Sequence, residues 1–96
     1  MTASDIVKEK REEILAIARK HGAFNVRVFG SVARGEADDE SDIDLLVELD
    51  EERSLFDLGA LVVELNESIG HHVDVVTERG IRARIRDRIV AEAVAL

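Results

Sequence analysis

Gly30-Ser31-Val32-Ala33-Arg34-Gly35 and, after an interval of ten residues from Ser31, Asp42-Ile43-Asp44 followed by Leu45-Leu46-Val47 decide how this chain is to be read. The apolar run after Asp44 predicts a strand. Side chains alternate along a strand, so Asp42 and Asp44 share a face with their Cα atoms roughly 6.5 Å apart. Two carboxylates on one rigid edge make a hard, oxygen-rich site suited to Mg²⁺. Upstream, Phe24 to Phe29 predicts another strand, and the chain turns at Gly30 into a short segment whose free backbone N–H groups can receive an anion. Ser31 can donate its hydroxyl to a β or γ phosphate, and Gly30 puts no Cβ in the way. Arg34, one turn on, is the nearest cation: it either clamps a phosphate bidentately or pairs with an acid of the following loop. The two halves together suggest a Mg-nucleotide.

Around this centre, a first helix is expected from after Thr2, whose spacing to Asp5 fits a capping box, to His21-Gly22. Ile6, Ile14, Ile17 and Ala18 give it a core-facing stripe. The first strand runs from Phe24 to Phe29 and the second from Asp42 to Leu49, with a short helical turn and an acidic loop between them. Ser54, with Asp57 three residues later, opens a helix whose Leu58, Val62, Leu65 and Ile69 recur at helical spacing until Gly70. The third strand is His72 to Thr77, and a last helix from about Gly80 sets Ile81, Ile85 and Ile89 on one side among arginines. This order predicts an α/β (α+β) fold, a three-stranded sheet backed by helices. The second strand, its crossover helix and the third strand form a βαβ unit with parallel, neighbouring strands. Val73 and Val75 then enter the core, while Asp74 faces the other way and meets Asp42 and Asp44 across an interstrand spacing of about 4.8 Å. Three converging carboxylates repel one another and raise at least one pKa, a cost that a divalent cation relieves.

Competing motifs fail on particular residues. An EF-hand loop lacks its turn glycine here, and Ile43, Leu45, Leu46 and Val47 make a strand instead. No Gly-Lys-Ser or Gly-Lys-Thr is present, which excludes a Walker-type loop. His21, His71 and His72 have neither cysteine nor a spaced histidine pair beside them and are read as structural or exposed.

Ninety-six residues with no proline, no cysteine and no evident linker point to one domain, residues 1–96. The lack of cysteine excludes disulfides and thiolate zinc sites and fits a reducing cytosol. Residues 1 to 13 are highly charged, unlike an export signal, and the longest apolar stretch, Leu58 to Val63, is far too short to span a membrane. A net charge of −8 disfavours direct nucleic-acid binding. Residues 36 to 52 carry ten acidic groups and no basic one, whereas Arg79, Arg82, Arg84, Arg86 and Arg88 crowd the last segment. Such asymmetry can steer a basic protein partner to one face, although a charge run is more often a solvated surface.

The Gly-Ser turn, the interval and the Asp-x-Asp resemble the signature of the nucleotidyltransferase superfamily related to DNA polymerase β, and most of all its minimal nucleotidyltransferases. The resemblance covers nearly the whole chain, including Arg53-Ser54-Leu55-Phe56-Asp57-Leu58 and the Arg-rich closing helix. It implies a mixed sheet in the order one, two, three, with the first strand antiparallel to the second. It also implies a catalytic and metal-binding triad of Asp42, Asp44 and Asp74. Asp42 and Asp44 would bind two Mg²⁺ ions, and Asp74 would hold the metal that activates the acceptor or help remove its proton. Gly30, Ser31 and Arg34 would bind ATP. The reaction that follows is in-line attack on the α-phosphate with loss of pyrophosphate. In the resembled group, the protein is commonly the antitoxin that transfers AMP from ATP to a tyrosine of a HEPN-family ribonuclease toxin. The expected setting is cytoplasmic, in complex with that toxin. Two alternatives stand beside this: a noncatalytic antitoxin that neutralises by complex formation, and a small-molecule (aminoglycoside-type) nucleotidyltransferase acting with a helper subunit.

Overall fold

A computed structural model describes residues 1–96. Its elements are α1 (Ala3–Glu9), α2 (Arg11–Lys20), β1 (Ala23–Phe29), α3 (Gly30–Arg34), β2 (Ile43–Leu49), α4 (Leu55–Ile69), β3 (Val73–Thr77), α5 (Ala83–Glu92) and β4 (Val94–Ala95). Both expected capping boxes form. The Thr2 hydroxyl accepts from the Asp5 N–H while the Asp5 carboxylate accepts from the Thr2 N–H, and Ser54 and Asp57 repeat the arrangement at α4. Each box satisfies N–H groups that a helix start leaves free.

The first helix is not continuous. It steps at Lys10 (φ −98°, ψ 11°), although the Lys10 N–H still donates to Ile6 O at 2.8 Å and the Ile14 N–H to Lys10 O at 2.9 Å. The step keeps Ala3 and Val7 of α1 buried together with Ile14, Ile17 and Ala18 of α2. The last helix begins three residues later than expected, because the Gly80 N–H closes a turn onto Thr77 and Ile81 is buried ahead of the helix. Ile85 is exposed, so the expected apolar stripe does not extend along α5.

The sheet has four strands in the order β3-β2-β1-β4, which corrects the three-stranded expectation. β1 is antiparallel to β2 and β2 parallel to β3, as anticipated. The fourth strand pairs antiparallel with the outer edge of β1, Arg27 opposite Ala95 and Val28 opposite Val94, and the Leu96 N–H donates to Val26 O at 3.1 Å. Two residues are too few to show a strand's periodicity. What makes them a strand is the otherwise unpaired edge of β1.

Ile43, Leu45 and Val47 of β2, Val26 and Val28 of β1, and Val73 and Val75 of β3 point into one apolar cluster with α1, α2 and α4, the last contributing Leu61, Leu65 and Ile69. Alternation sends Asp44 and Asp74 to the opposite face. No polar or charged residue is buried, whereas Leu55 (81 % exposed) and Phe56 (90 %) stand clear of the surface at the start of α4.

Candidate active site

The parallel register sets Asp44 directly beside Asp74, with Ile43 beside Val73. Two contacts fix it at the strand starts. The Ile43 N–H donates to His72 O at 3.0 Å. Asn66, near the end of α4, receives the Val73 N–H on its Oδ1 at 3.0 Å and donates its Nδ2 to Val73 O at 2.9 Å and to Val62 O at 2.8 Å. The crossover helix thus holds β3 at the residue before Asp74.

Both strands start one residue later than the sequence suggests, at Ile43 and Val73, which leaves Asp42 and His72 on the turns just outside. There, ligand atoms of Asp42, His72 and Asp74 lie within 4.8 Å of one another, and His72 Nε2 is 3.1 Å from Asp74 Oδ1. All three residues are exposed. Asp44 sits deeper and leans over Gly30. Gly30 adopts a left-handed conformation (φ +69°), and a Cβ there would collide with the Asp44 carboxylate. The need for glycine therefore comes from the neighbouring acid as well as from any phosphate.

Charge at the site behaves as converging carboxylates require. Burial, then Asp74, then Asp42 push the Asp44 carboxyl above its ordinary value, with Arg34 and His72 opposing. The oxygen-rich donor set fits a hard divalent cation, which would relieve that repulsion.

Around α3 two of the groups expected to receive an anion, the Gly30 N–H and the Arg34 guanidinium, are already engaged. The Gly30 N–H donates to Glu92 Oε2 at 2.8 Å, and Arg34 Nη1 donates to Glu92 Oε1 at 2.8 Å. Arg34 Nε also reaches both oxygens of Glu36 at 3.3 Å. Of the two roles open to Arg34, pairing with the following loop is thus met, and a second acid from α5 joins it. Arg34 and then the Gly30 N–H hold the Glu92 carboxyl below its ordinary range, and Glu92 in turn raises Arg34.

The structure brings Asp42, Asp44, Asp74 and Gly30 together, with Ser31 in the first turn of α3. Sequence reasoning missed His72, Glu92 and Asn66. The doubled His71-His72 before the third strand was the available signal for the first; the other two act across turns and elements that spacing does not connect. The remaining histidines are occupied elsewhere, His21 with Glu64 at 2.8 Å and His71 donating to Ser41 O at 2.6 Å. A concavity of about 510 Å³ lies at the other end of β2 and β3, lined by Phe24, Glu48, Arg53, Leu55, Thr77 and Arg79, and contains none of Asp42, Asp44 and Asp74.

The nucleotidyltransferase domain family matches residues 7–96. The chain is 46% identical over 88 residues to a Methanocaldococcus jannaschii protein provisionally named protein adenylyltransferase MJ0435, covering 92% of this chain and 95% of that one. It is 34% identical over 91 residues to protein adenylyltransferase MntA of Thermococcus cleftensis, covering 90% and 92%. A solved structure provisionally described as a minimal nucleotidyltransferase superposes with a TM-score of 0.85 at 45% identity, over 97% of this chain and 95% of that chain. A toxin-antitoxin structure with AMP-PNP shares the fold at 21% identity, TM-score 0.75, over 88% of this chain and 69% of that chain. With nearly its whole length matched in sequence and in fold, the chain belongs to the nucleotidyltransferase family and is a nucleotidyltransferase enzyme.

Proposed function

We propose that the chain, acting as a single domain over residues 1–96, transfers AMP from ATP to a tyrosine hydroxyl of a HEPN-family ribonuclease toxin in the cytoplasm and so serves as its antitoxin. The observation that carries the reading is the pairing of Asp44 with Asp74 across β2 and β3, with Asp42 close to Asp74 and Gly30 against Asp44. The relatives named protein adenylyltransferase support AMP as the group transferred, and the toxin-antitoxin neighbours support the kind of acceptor.

In this reading Asp42, Asp44 and Asp74 hold two Mg²⁺ ions. When bound, the metal neutralises charge on the triphosphate and lowers the pKa of the acceptor hydroxyl. Gly30, Ser31 and Arg34 receive the β and γ phosphates, Arg34 after parting from Glu92. The acceptor oxygen attacks the α-phosphorus in line, the bond to the bridging oxygen breaks, and pyrophosphate leaves. Asp74, on the acceptor side, helps remove the hydroxyl proton. The residues contribute mainly positioning and charge placement. The acidic run over residues 36 to 52 supports a basic partner such as an RNA-cutting protein, and no helix is long and apolar enough to cross a membrane.

The test is the intact mass of the toxin after co-production with this chain or with its Asp42→Asn/Asp44→Asn form. A gain of whole adenylate units with the intact chain alone is expected. An unmodified toxin that is still bound and inhibited would make the chain a stoichiometric antitoxin. Transfer to an aminoglycoside without any toxin would make the acceptor a small molecule.

A further inference from the structure

We propose that His72 is a ligand of the acceptor-side metal ion, joining Asp42 and Asp74, and that its imidazole makes this position prefer a transition-metal dication to Mg²⁺. The inference rests on the metal-dependent reading above and adds a residue that the carboxylate triad does not include.

Three observations support it. First, the backbone places His72 at the site independently of its side chain. Its carbonyl accepts from the Ile43 N–H at 3.0 Å, next to Asp42, and Val73 is locked to Asn66 on the other side. Second, the side chain is hydrogen-bonded to Asp74 at a separation that also suits two ligands of one ion. His72 Nε2 and Asp74 Oδ1 are 3.1 Å apart. Two adjacent ligands on an octahedral ion with bonds of about 2.1 Å stand about 3 Å apart, so the pair admits an ion with little movement. Asp42, within 4.8 Å of both, is exposed and free to close on the same point. Third, this is the histidine without another partner: His21 is held by Glu64 and His71 by Ser41 O.

The ligand set that results is two carboxylates and one imidazole. Carboxylates alone suit Mg²⁺, which keeps oxygen ligands and dehydrates reluctantly. Imidazole nitrogen favours first-row transition ions, and affinities for mixed nitrogen and oxygen sites rise along that series. Mn²⁺ accepts both donor types and octahedral geometry, which makes it the natural probe. Asp44, turned toward Gly30, is left for the ion on the nucleotide side.

The experiment uses the full chain, Mn²⁺ alone as the paramagnetic probe and Mg²⁺ as competitor, with His72→Asn, His21→Asn and Asp42→Asn compared at neutral pH and folding checked by circular dichroism. The unaltered chain and His21→Asn should bind Mn²⁺ more tightly than Mg²⁺ and show nitrogen modulation in the electron spin echo of bound Mn²⁺. His72→Asn should lose the modulation and most of the preference, a change on the order of 10-fold in relative affinity, the scale on which even the supporting partners of metal ligands act. Nitrogen modulation that persists in His72→Asn, or an unchanged Mn²⁺ to Mg²⁺ ratio, overturns the inference. If Asp42→Asn abolishes binding in that case, the carboxylate reading stands without His72. Unchanged Mn²⁺ binding by Asp42→Asn would overturn both.

Discussion

The Gly30 N–H and the Glu92 carboxylate are hydrogen-bonded at 2.8 Å across 62 positions of sequence, and the second Glu92 oxygen takes Arg34 at 2.8 Å. One side chain from α5 therefore holds two of the three residues that the proposed function gives to phosphate, Gly30 and Arg34. Glu92→Gln keeps the shape and removes the charge. AMP-PNP affinity measured by calorimetry should rise severalfold, on the order of 3- to 10-fold for a partly solvated charge-assisted contact. An unchanged or weaker affinity would show that Glu92 only fastens α5 to α3.

Asp44 carries the opposite balance. Its carboxyl is raised by burial and by Asp74 and Asp42. A carboxyl raised in the folded state costs stability above its folded pKa, and that cost fades as pH falls toward the ordinary value near 3.8. Asp44→Asn should abolish transfer and yet raise the melting temperature at neutral pH in chelator by a few degrees, given that ~1 kcal/mol is worth roughly 4–8 °C in a domain of this size. The gain should vanish in acid. A lower melting temperature at neutral pH would show that Asp44 stabilises the fold.

Glu92, Asp57 and Asp5 are all depressed by hydrogen bonds in the folded chain. Depressed carboxyls give stability that is present above their ordinary values, 4.5 for Glu92 and 3.8 for the two aspartates, and that is lost as pH falls through the folded values. Denaturation midpoints should therefore fall as pH drops below about 4.5, and Glu92→Gln should flatten part of that slope. Titration by circular dichroism reads both, and an identical slope in the variant would contradict the assignment.

Asn66→Leu removes three hydrogen bonds of 2.8 to 3.0 Å at once. It leaves the part-buried Val73 N–H without its acceptor, for a loss of roughly 1–3 kcal/mol in urea denaturation. Transfer should fall further than stability explains, because the clamp sets the strand that carries Asp74. Full activity in the folded variant would separate the clamp from the site.

Gly30→Ala meets both a left-handed backbone and the Asp44 carboxylate. The backbone alone costs about 1–2 kcal/mol, and Asp44 must also turn away. Nucleotide transfer should be lost in a chain that still folds at low temperature, a result that activity and circular dichroism together decide.

Features carried by neighbouring residues were legible in the sequence: the capping pairs Thr2 with Asp5 and Ser54 with Asp57, and the alternation that turned Val73 and Val75 inward and Asp74 outward. The parallel pairing of β2 and β3 followed from chain topology and brought Asp44 beside Asp74 as anticipated. Features set by distant surroundings were not legible. Val94–Ala95 is a strand because β1 has an open edge, Lys10 steps because two helix segments follow one sheet, and Glu92 lies near Gly30 only once α5 has folded back. His72 looked like a residue opening a strand, and a one-residue shift leaves it on the turn beside Asp42.

Leu55 and Phe56 stand exposed on a chain whose net charge is −8. Mutual repulsion between copies opposes their association through this apolar knuckle in dilute buffer at neutral pH. Near the isoelectric point of about 4.8 the repulsion disappears, and in concentrated salt it is screened. Colloidal behaviour thus depends on solvent conditions: the protein should cloud on acidification or salting-out while its fold is still intact, and replacing Phe56 with a charged residue should keep such solutions clear.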